Sequence, residues 1–184
     1  MTKQTTGWKE VKMVLSEFSS TQLLGVLHDL YKFNPATRSF FHSRFLADVD
    51  QGEHLEAYKK RIRSAIPIHP ERPLRLVEAR KAVNEFKKAS GRLEDALELM
   101  LYYVQCGNDM TLAFGDIGGT FYDSLASMFD SIVQKLIAQA DAALAEAWWP
   151  RLEQEHKRVD FIGWGYGDSL KDALVELRKV FPAG

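Results

Sequence analysis

Two glycine-rich stretches, GDIGG (Gly115 to Gly119) and GWGYG (Gly163 to Gly167), are the residues whose type and spacing first suggest chemistry. Glycines ahead of a helix let backbone N–H groups approach a phosphate at the helix N-terminus. Neither stretch meets the rest of that pattern. A dinucleotide site needs a strand before the glycines, a helix directly after the second and an acid about 20 residues on. Only the helix is clear after GWGYG. GDIGG lacks the Lys-Ser/Thr pair of a P-loop. An aromatic-glycine turn that packs Trp164 and Tyr166 onto neighbouring helices is the better reading of GWGYG, and a helix stop and restart that of GDIGG.

Metal and nucleophile chemistry are equally sparse. Asp109, Asp116, Asp123 and Asp130 fall seven apart, a spacing that would align carboxylates on one face of an unbroken helix. The glycines between them argue against such a helix. The alternative is a metal-dependent hydrolase built on Asp116 and Asp123. The five histidines (His28, His42, His54, His69, His156) show no ligand spacing such as HExxH. No metal or cofactor is therefore expected. No serine sits in a G-x-S-x-G elbow, and Cys106, at the end of an apolar run, lacks an identifiable histidine partner, so a buried inert thiol is expected.

The distribution of charge is the non-random feature. From Lys59 to Arg92 there are eleven basic residues against three acidic, a surplus of +8, while the rest of the chain has 13 basic against 22 acidic. Between Leu93 and Gln134 there is no basic residue. On the helix predicted after Leu74, Arg80, Lys81, Lys87 and Lys88 form two columns seven apart with Asn84 between them, opposite the apolar face. Such a face could bind phosphates of a nucleic acid. The favoured reading is that basic and acidic segments attract each other, within the fold or across a dimer. Trp8 and the pair Trp148-Trp149 are candidate anchors for a protein partner.

The elements that must position these residues are helices throughout. Leu97 to Val104 (LELMLYYV) is the most apolar run and, being apolar all round from Leu99, belongs to a helix buried on every side. Glu94 and Asp95 suit its first turn, and Gly107-Asn108 is expected to end it. A second helix is expected at Thr120, where Thr120-x-x-Asp123 makes a variant capping box, with Phe121, Leu125, Met128, Phe129, Ile132 and Leu136 as its apolar face.

Upstream, Trp8 to Phe18 reads as a short amphipathic helix. Ser19-x-x-Gln22 is a capping box, with Phe18 and Leu23 at the staple positions of a helix from Ser20 to about Phe33. Asn34-Pro35 ends one helix and starts another. Leu55, Tyr58, Ile62, Ala65 and Ile66 mark a helix that stops at Pro67, supported by Glu56 four residues before Lys60. PIHPERP (Pro67 to Pro73) is an extended connection. Leu76, Ala79, Ala82, Val83, Phe86 and Ala89 make the next face. Near the C-terminus Pro150 is expected to kink or break a helix at Trp148-Trp149, and Ser169-x-x-Asp172 to cap a last helix over Leu170, Ala173, Leu174, Leu177, Val180 and Phe181. VDFI before Gly163 is the one candidate strand.

The whole predicts a single all-α domain, a compact bundle of about eight helices. With 184 residues, 46% of them hydrophobic, it can bury one real core. One cysteine allows no internal disulfide. The opening MTKQTTGWKE lacks a signal-peptide apolar region and no apolar run reaches membrane-spanning length, so a cytoplasmic protein with no membrane contact is expected.

YKKRIRSAI, ARKAVNEFKKASG, ELMLYYVQCG, GDIGGTFYDSLASMF and GWGYGDSLKDAL, in this order, resemble a family of bacterial proteins catalogued as a domain of unknown function. The opening WKEVKMVLSEFSSTQLLGVLHDLYKFNPATRSFFHSRF is similar to that family's start, so the resemblance covers nearly the whole chain. It implies a small, mainly helical bacterial protein and carries no activity, substrate or cofactor. The sequence thus favours a non-catalytic helical interaction module, binding a protein partner or itself. Nucleic-acid binding through Lys59 to Arg92 and metal-dependent hydrolysis are the alternatives.

Overall fold

The computed structural model describes residues 7–46, 52–69 and 71–182. The first six residues and Pro70, within the PIHPERP connection, lie outside them. The described residues form nine helices: α1 (Trp8–Leu15), α2 (Ser20–Phe33), α3 (Pro35–Phe45), α4 (Glu53–Ala65), α5 (Leu76–Ala89), α6 (Leu93–Phe114), α7 (Gly119–Gln139), α8 (Ala142–Lys157) and α9 (Tyr166–Val180). The fold is all-α. No strand occurs among the described residues, and VDFI falls in successive turns.

Helix α6 is the axis. Leu97, Leu99, Met100, Leu101, Tyr103 and Val104 are fully buried, and α4, α5, α7 and α8 pack around them. Helix α9 closes the bundle against α7 and α8. Apolar stripes fill the interior as their spacing predicts: Tyr58, Ile62 and Ala65 on α4, Ala79, Ala82, Val83, Phe86 and Ala89 on α5, and Leu170, Ala173, Leu174 and Leu177 on α9. Among the described residues, every fully buried side chain of this core comes from residue 58 onward.

The first two helices stand apart from it. Ser19 caps α2 by accepting from the Gln22 amide, and the Gln22 side chain returns to the Ser19 amide at 2.8 Å. Asn34 Oδ1 accepts from the Thr37 amide at 2.8 Å and starts α3, with Pro35 at its first position. Helix α3 packs on α4 and α5, and α2 packs on α3. Neither α1 nor α2 contains a buried residue.

The bundle departs from expectation at several helix ends. Helix α6 does not stop at Gly107-Asn108 but runs on to Phe114. Gly107 is there for close packing: a Cβ would lie 2.4 Å from Leu125 Cδ2 of α7. The Thr120 box does not form, because α7 begins a residue earlier, with Gly118 at its cap. Likewise α9 begins at Tyr166, and Ser169, already inside it, donates from Oγ to the Gly165 carbonyl at 2.8 Å. The ninth helix, α8, spans Trp148-Trp149-Pro150, where a kink or break is expected. It continues through Pro150. Pro150 and Glu146, whose carbonyl loses its N–H partner, both face solvent, and water can take the vacant acceptor. On α4, Glu56 pairs with Lys59 at 3.1 Å, not with Lys60. Val180 is exposed.

The Gly107 contact generates a prediction. Leu125 is fully buried, so a methyl at position 107 must displace a side chain packed in the core, and Gly107→Ala should cost about 1–3 kcal/mol, the usual range for overpacking a core. Adding Leu125→Ala should recover part of that loss relative to the sum of the single changes. Urea denaturation of the four proteins checks this; a Gly107→Ala protein as stable as the parent would contradict it.

Candidate functional site

The polar residues of the bundle gather at the C-terminal half of α6. Asn108 and Glu155 are buried among apolar neighbours and must find hydrogen bonds inside the protein. Asn108 Nδ2 donates to Glu155 Oε2 at 2.9 Å, and the Tyr166 hydroxyl donates to Asn108 Oδ1 at 2.7 Å. Arg158 donates to Glu155 at 3.0 and 3.2 Å and, through its other terminal nitrogen, to Asp109 at 2.7 Å. Arg63 of α4 reaches the second oxygen of Asp109 at 2.6 Å. Two carboxylates thus face two guanidiniums. Burial alone would raise the Asp109 carboxyl, but the hydrogen bonds and charges of Arg158 and Arg63 outweigh it and hold it below the usual carboxylate range. Burial pushes the Tyr166 phenol up, which keeps it a hydrogen-bond donor. These groups are committed to one another, and the network reads as a structural clasp.

One turn further along, the two glycine stretches meet. Trp164 Nε1 donates to both carboxylate oxygens of Asp116 at 3.0 Å, and Asp116 Oδ1 also accepts from the Gly118 amide at 2.9 Å. The Trp164 ring lies over Gly119 so closely that a Cβ there would sit 3.0 Å from it. Trp164 holds a left-handed backbone, φ 63°, at a cost of about 1–3 kcal/mol for a bulky residue. Beside this contact opens a cavity of about 320 Å³ lined by Thr111, Leu112, Asp116, Tyr122, Phe161 and Ile162, among others. Its floor is internally satisfied: Thr111 Oγ1 and the Tyr122 hydroxyl are 2.6 Å apart, and Thr111 also donates to the Gly115 carbonyl. Spacing along the chain gave no signal of this site, because Asp116 and Trp164 are 48 residues apart.

The basic face is divided. Lys59 pairs with Glu98 at 3.3 Å and Arg63 with Asp109, joining the basic segment to the acidic one as expected. Arg61 bonds Glu85 at 2.7 Å, and Lys81 lies 4.0 Å from the same carboxylate. Arg80 turns inward, donating to the Ser124 carbonyl of α7 at 3.1 Å. Asn84 and Lys88 are exposed. Lys87 is half-buried, and burial, then the charges of Lys135 and Arg80, lower its pKa.

Of the candidate anchors, Trp8 is exposed, whereas Trp148 is buried in the core under Arg151, 4.4 Å from its ring. Trp149 is half-buried beneath Arg178, 3.7 Å from its ring, beside a groove of about 600 Å³ between α8 and α9. Cys106 is buried, and burial pushes its thiol up to about 12. Among the described residues no three His, Cys, Asp or Glu side chains are placed to hold a metal ion, and Asp123 is exposed. No helix among them is long and apolar enough to cross a membrane. No protein-family model, curated protein or solved structure matches the chain.

The clasp predicts a pH dependence. A carboxyl whose folded pKa lies below its unfolded value contributes stability that is complete above the unfolded value, near 3.9, and lost as pH falls through the folded one. Asp109→Asn should lower stability at pH 7 by about 1–3 kcal/mol, discounted for an aspartate that keeps some solvent contact. It should also flatten the fall in stability below about pH 4. Thermal melts of parent and variant from neutral to acidic pH measure both effects.

Proposed function

We propose that this protein is a bacterial, cytoplasmic, non-catalytic helical interaction module that pairs with a second copy of itself through α1, α2 and α3. One observation carries the reading: among the described residues there is an apolar helix without a packing partner and an apolar groove that no described side chain fills. Helix α1 presents Trp8, Val11, Val14 and Leu15 on one side, buries none of them and makes no substantial packing contact with another helix. Leu24, Leu27, Tyr31, Phe41 and Phe45 line an apolar groove of about 430 Å³ between α2 and α3. A two-fold axis that lays α1 of each copy into the groove of the other satisfies both at once, an isologous helix-in-groove arrangement.

The amount of surface supports this. Trp8, Val11, Val14, Leu23, Leu24, Leu27 and Leu30 are all exposed on α1 and α2, a large apolar area to leave in water. The likeness of the quoted motifs to an uncharacterised bacterial family is part of the same reading. Light scattering on a sizing column should give twice the chain mass for the parent. Trp8→Ala with Val11→Asp, and separately Leu27→Glu, should give the single mass with unchanged helicity, since none of these residues enters the core. A parent that stays monomeric through the micromolar range would sink self-pairing.

A second reading, phosphate-rich nucleic acid on the α5 face, is favoured by Lys87. It lies beside Arg80 and Lys135 and has no carboxylate partner among the described residues. An anion there would relieve mutual repulsion. Under this reading duplex DNA should bind, weaken steeply as salt rises, and be lost on Lys87→Glu with Lys88→Glu. A mobility-shift titration at two salt concentrations decides it; absence of binding at low salt removes nucleic acid from consideration.

A further inference from the structure

We propose that the cavity beside Asp116 and Trp164 is a binding site for an organic cation, an ammonium or guanidinium group. The inference is independent of how α1 to α3 are used, because the site lies at the junction of α6, α7 and α9. Four observations converge on it. First, Trp164 and Phe161 line the same cavity and are 66% and 71% exposed, high values for aromatic side chains. Second, the Asp116 carboxylate is bonded to the indole N–H and to a backbone amide, both neutral donors. It pairs with no basic side chain among the described residues and keeps its charge unneutralised.

Third, the surrounding chain is acidic. No basic residue lies between Leu93 and Gln134, and Arg158, at the start of the turn that carries Phe161, is taken by Glu155 and Asp109. Fourth, Trp164 occupies a backbone conformation that glycine would adopt without strain, so a role of the indole itself accounts for its presence.

The geometry selects the ligand class. A cation within about 6 Å of an indole centroid is drawn to the negative face of the ring. The carboxylate at the indole edge adds a charge-assisted hydrogen bond or ion pair for the same group. The six-membered ring of Trp164 is in contact with Gly119, so the cation must approach from the exposed side, towards the cavity. An anion would meet uncompensated Asp116. An uncharged apolar ligand would strip water from that carboxylate without replacing its contacts. A metal ion would find a single carboxylate where hard cations take several oxygen ligands. The same recognition serves a free amine or a lysine or arginine side chain projecting from another protein.

The test uses the full-length protein labelled with 15N. The chain has four tryptophans, and the indole N–H signal lost in Trp164→Phe assigns that of Trp164. Tetramethylammonium chloride, and separately a glycine-flanked single-lysine peptide, are titrated against sodium chloride at equal ionic strength. The expected result is a saturable shift of the Trp164 indole signal, with those of Trp8, Trp148 and Trp149 unmoved. Asp116→Asn keeps an oxygen to accept the indole N–H but removes the charge, so it should weaken binding at least several-fold while the melting temperature holds. Phe161→Ala should weaken it too. Tighter binding of the peptide assigns the site to a partner's side chain, and equal or tighter binding of tetramethylammonium assigns it to a free amine. Either supports a cation site. No saturable shift with either probe, or undiminished binding in Asp116→Asn, overturns it and leaves Trp164 as a latch between the turn and α7.

Discussion

The hydrogen bonds made by the Asn108 side chain are the constraint on which the rest of the structure depends. Helix α6 is buried nearly all round, so an amide on it has no access to water and must be satisfied by the helices packed against it. Glu155 of α8 accepts from it and Tyr166 of α9 donates to it, which fixes three helices in one register. Glu155 is in turn a buried carboxylate that demands a cation, and Arg158 supplies it and extends the chain of contacts through Asp109 to Arg63 on α4. The turn between α8 and α9 is held at both ends by this network. Its middle carries Phe161 and Trp164, so the cavity beside Asp116 owes its shape to groups that do not line it.

What could be read from the sequence divides along a physical line. Signals confined to a few neighbouring residues were legible: the Ser19 and Asn34 caps, Pro35 at the first position of α3, and the apolar stripes of α4, α5 and, as far as Leu177, α9 appear where their spacing puts them. Signals whose meaning depends on a distant partner were not. Gly107 reads locally as a helix end, and only Leu125, on another helix, makes it a packing residue. Thr120 and Ser169 have the chemistry of caps, but glycines upstream had already opened their helices. Pro150 breaks helices in a buried setting and is tolerated in α8 on a solvated face. The same limit hid the site. GDIGG and GWGYG each fail as phosphate loops when taken singly, and the contact between them exists only once α6, α7 and α9 have packed.

The charge pattern was legible in sign and only partly in use. Lys59 and Arg63 reach across to Glu98 and Asp109, which accounts for part of the attraction between the basic and acidic segments. Lys87 and Lys88 do not. The pairs to the acidic segment come from α4, whereas on α5 Arg80 meets a backbone carbonyl of α7 and Lys87 meets Lys135.

The separation of α1 and α2 from the core has a consequence for how the molecule comes apart. Because no side chain of these two helices is buried, opening them exposes little additional apolar surface and leaves the clasp around Asn108 untouched. Their amide protons are therefore protected by local helix stability alone, while those of α6 are released only when the whole bundle opens. The chain carries two free energies of opening, a small one at its start and a large one at its axis. Any contact that covers the first two helices raises the small one, so amide exchange of α1 and α2 reports on what has bound there.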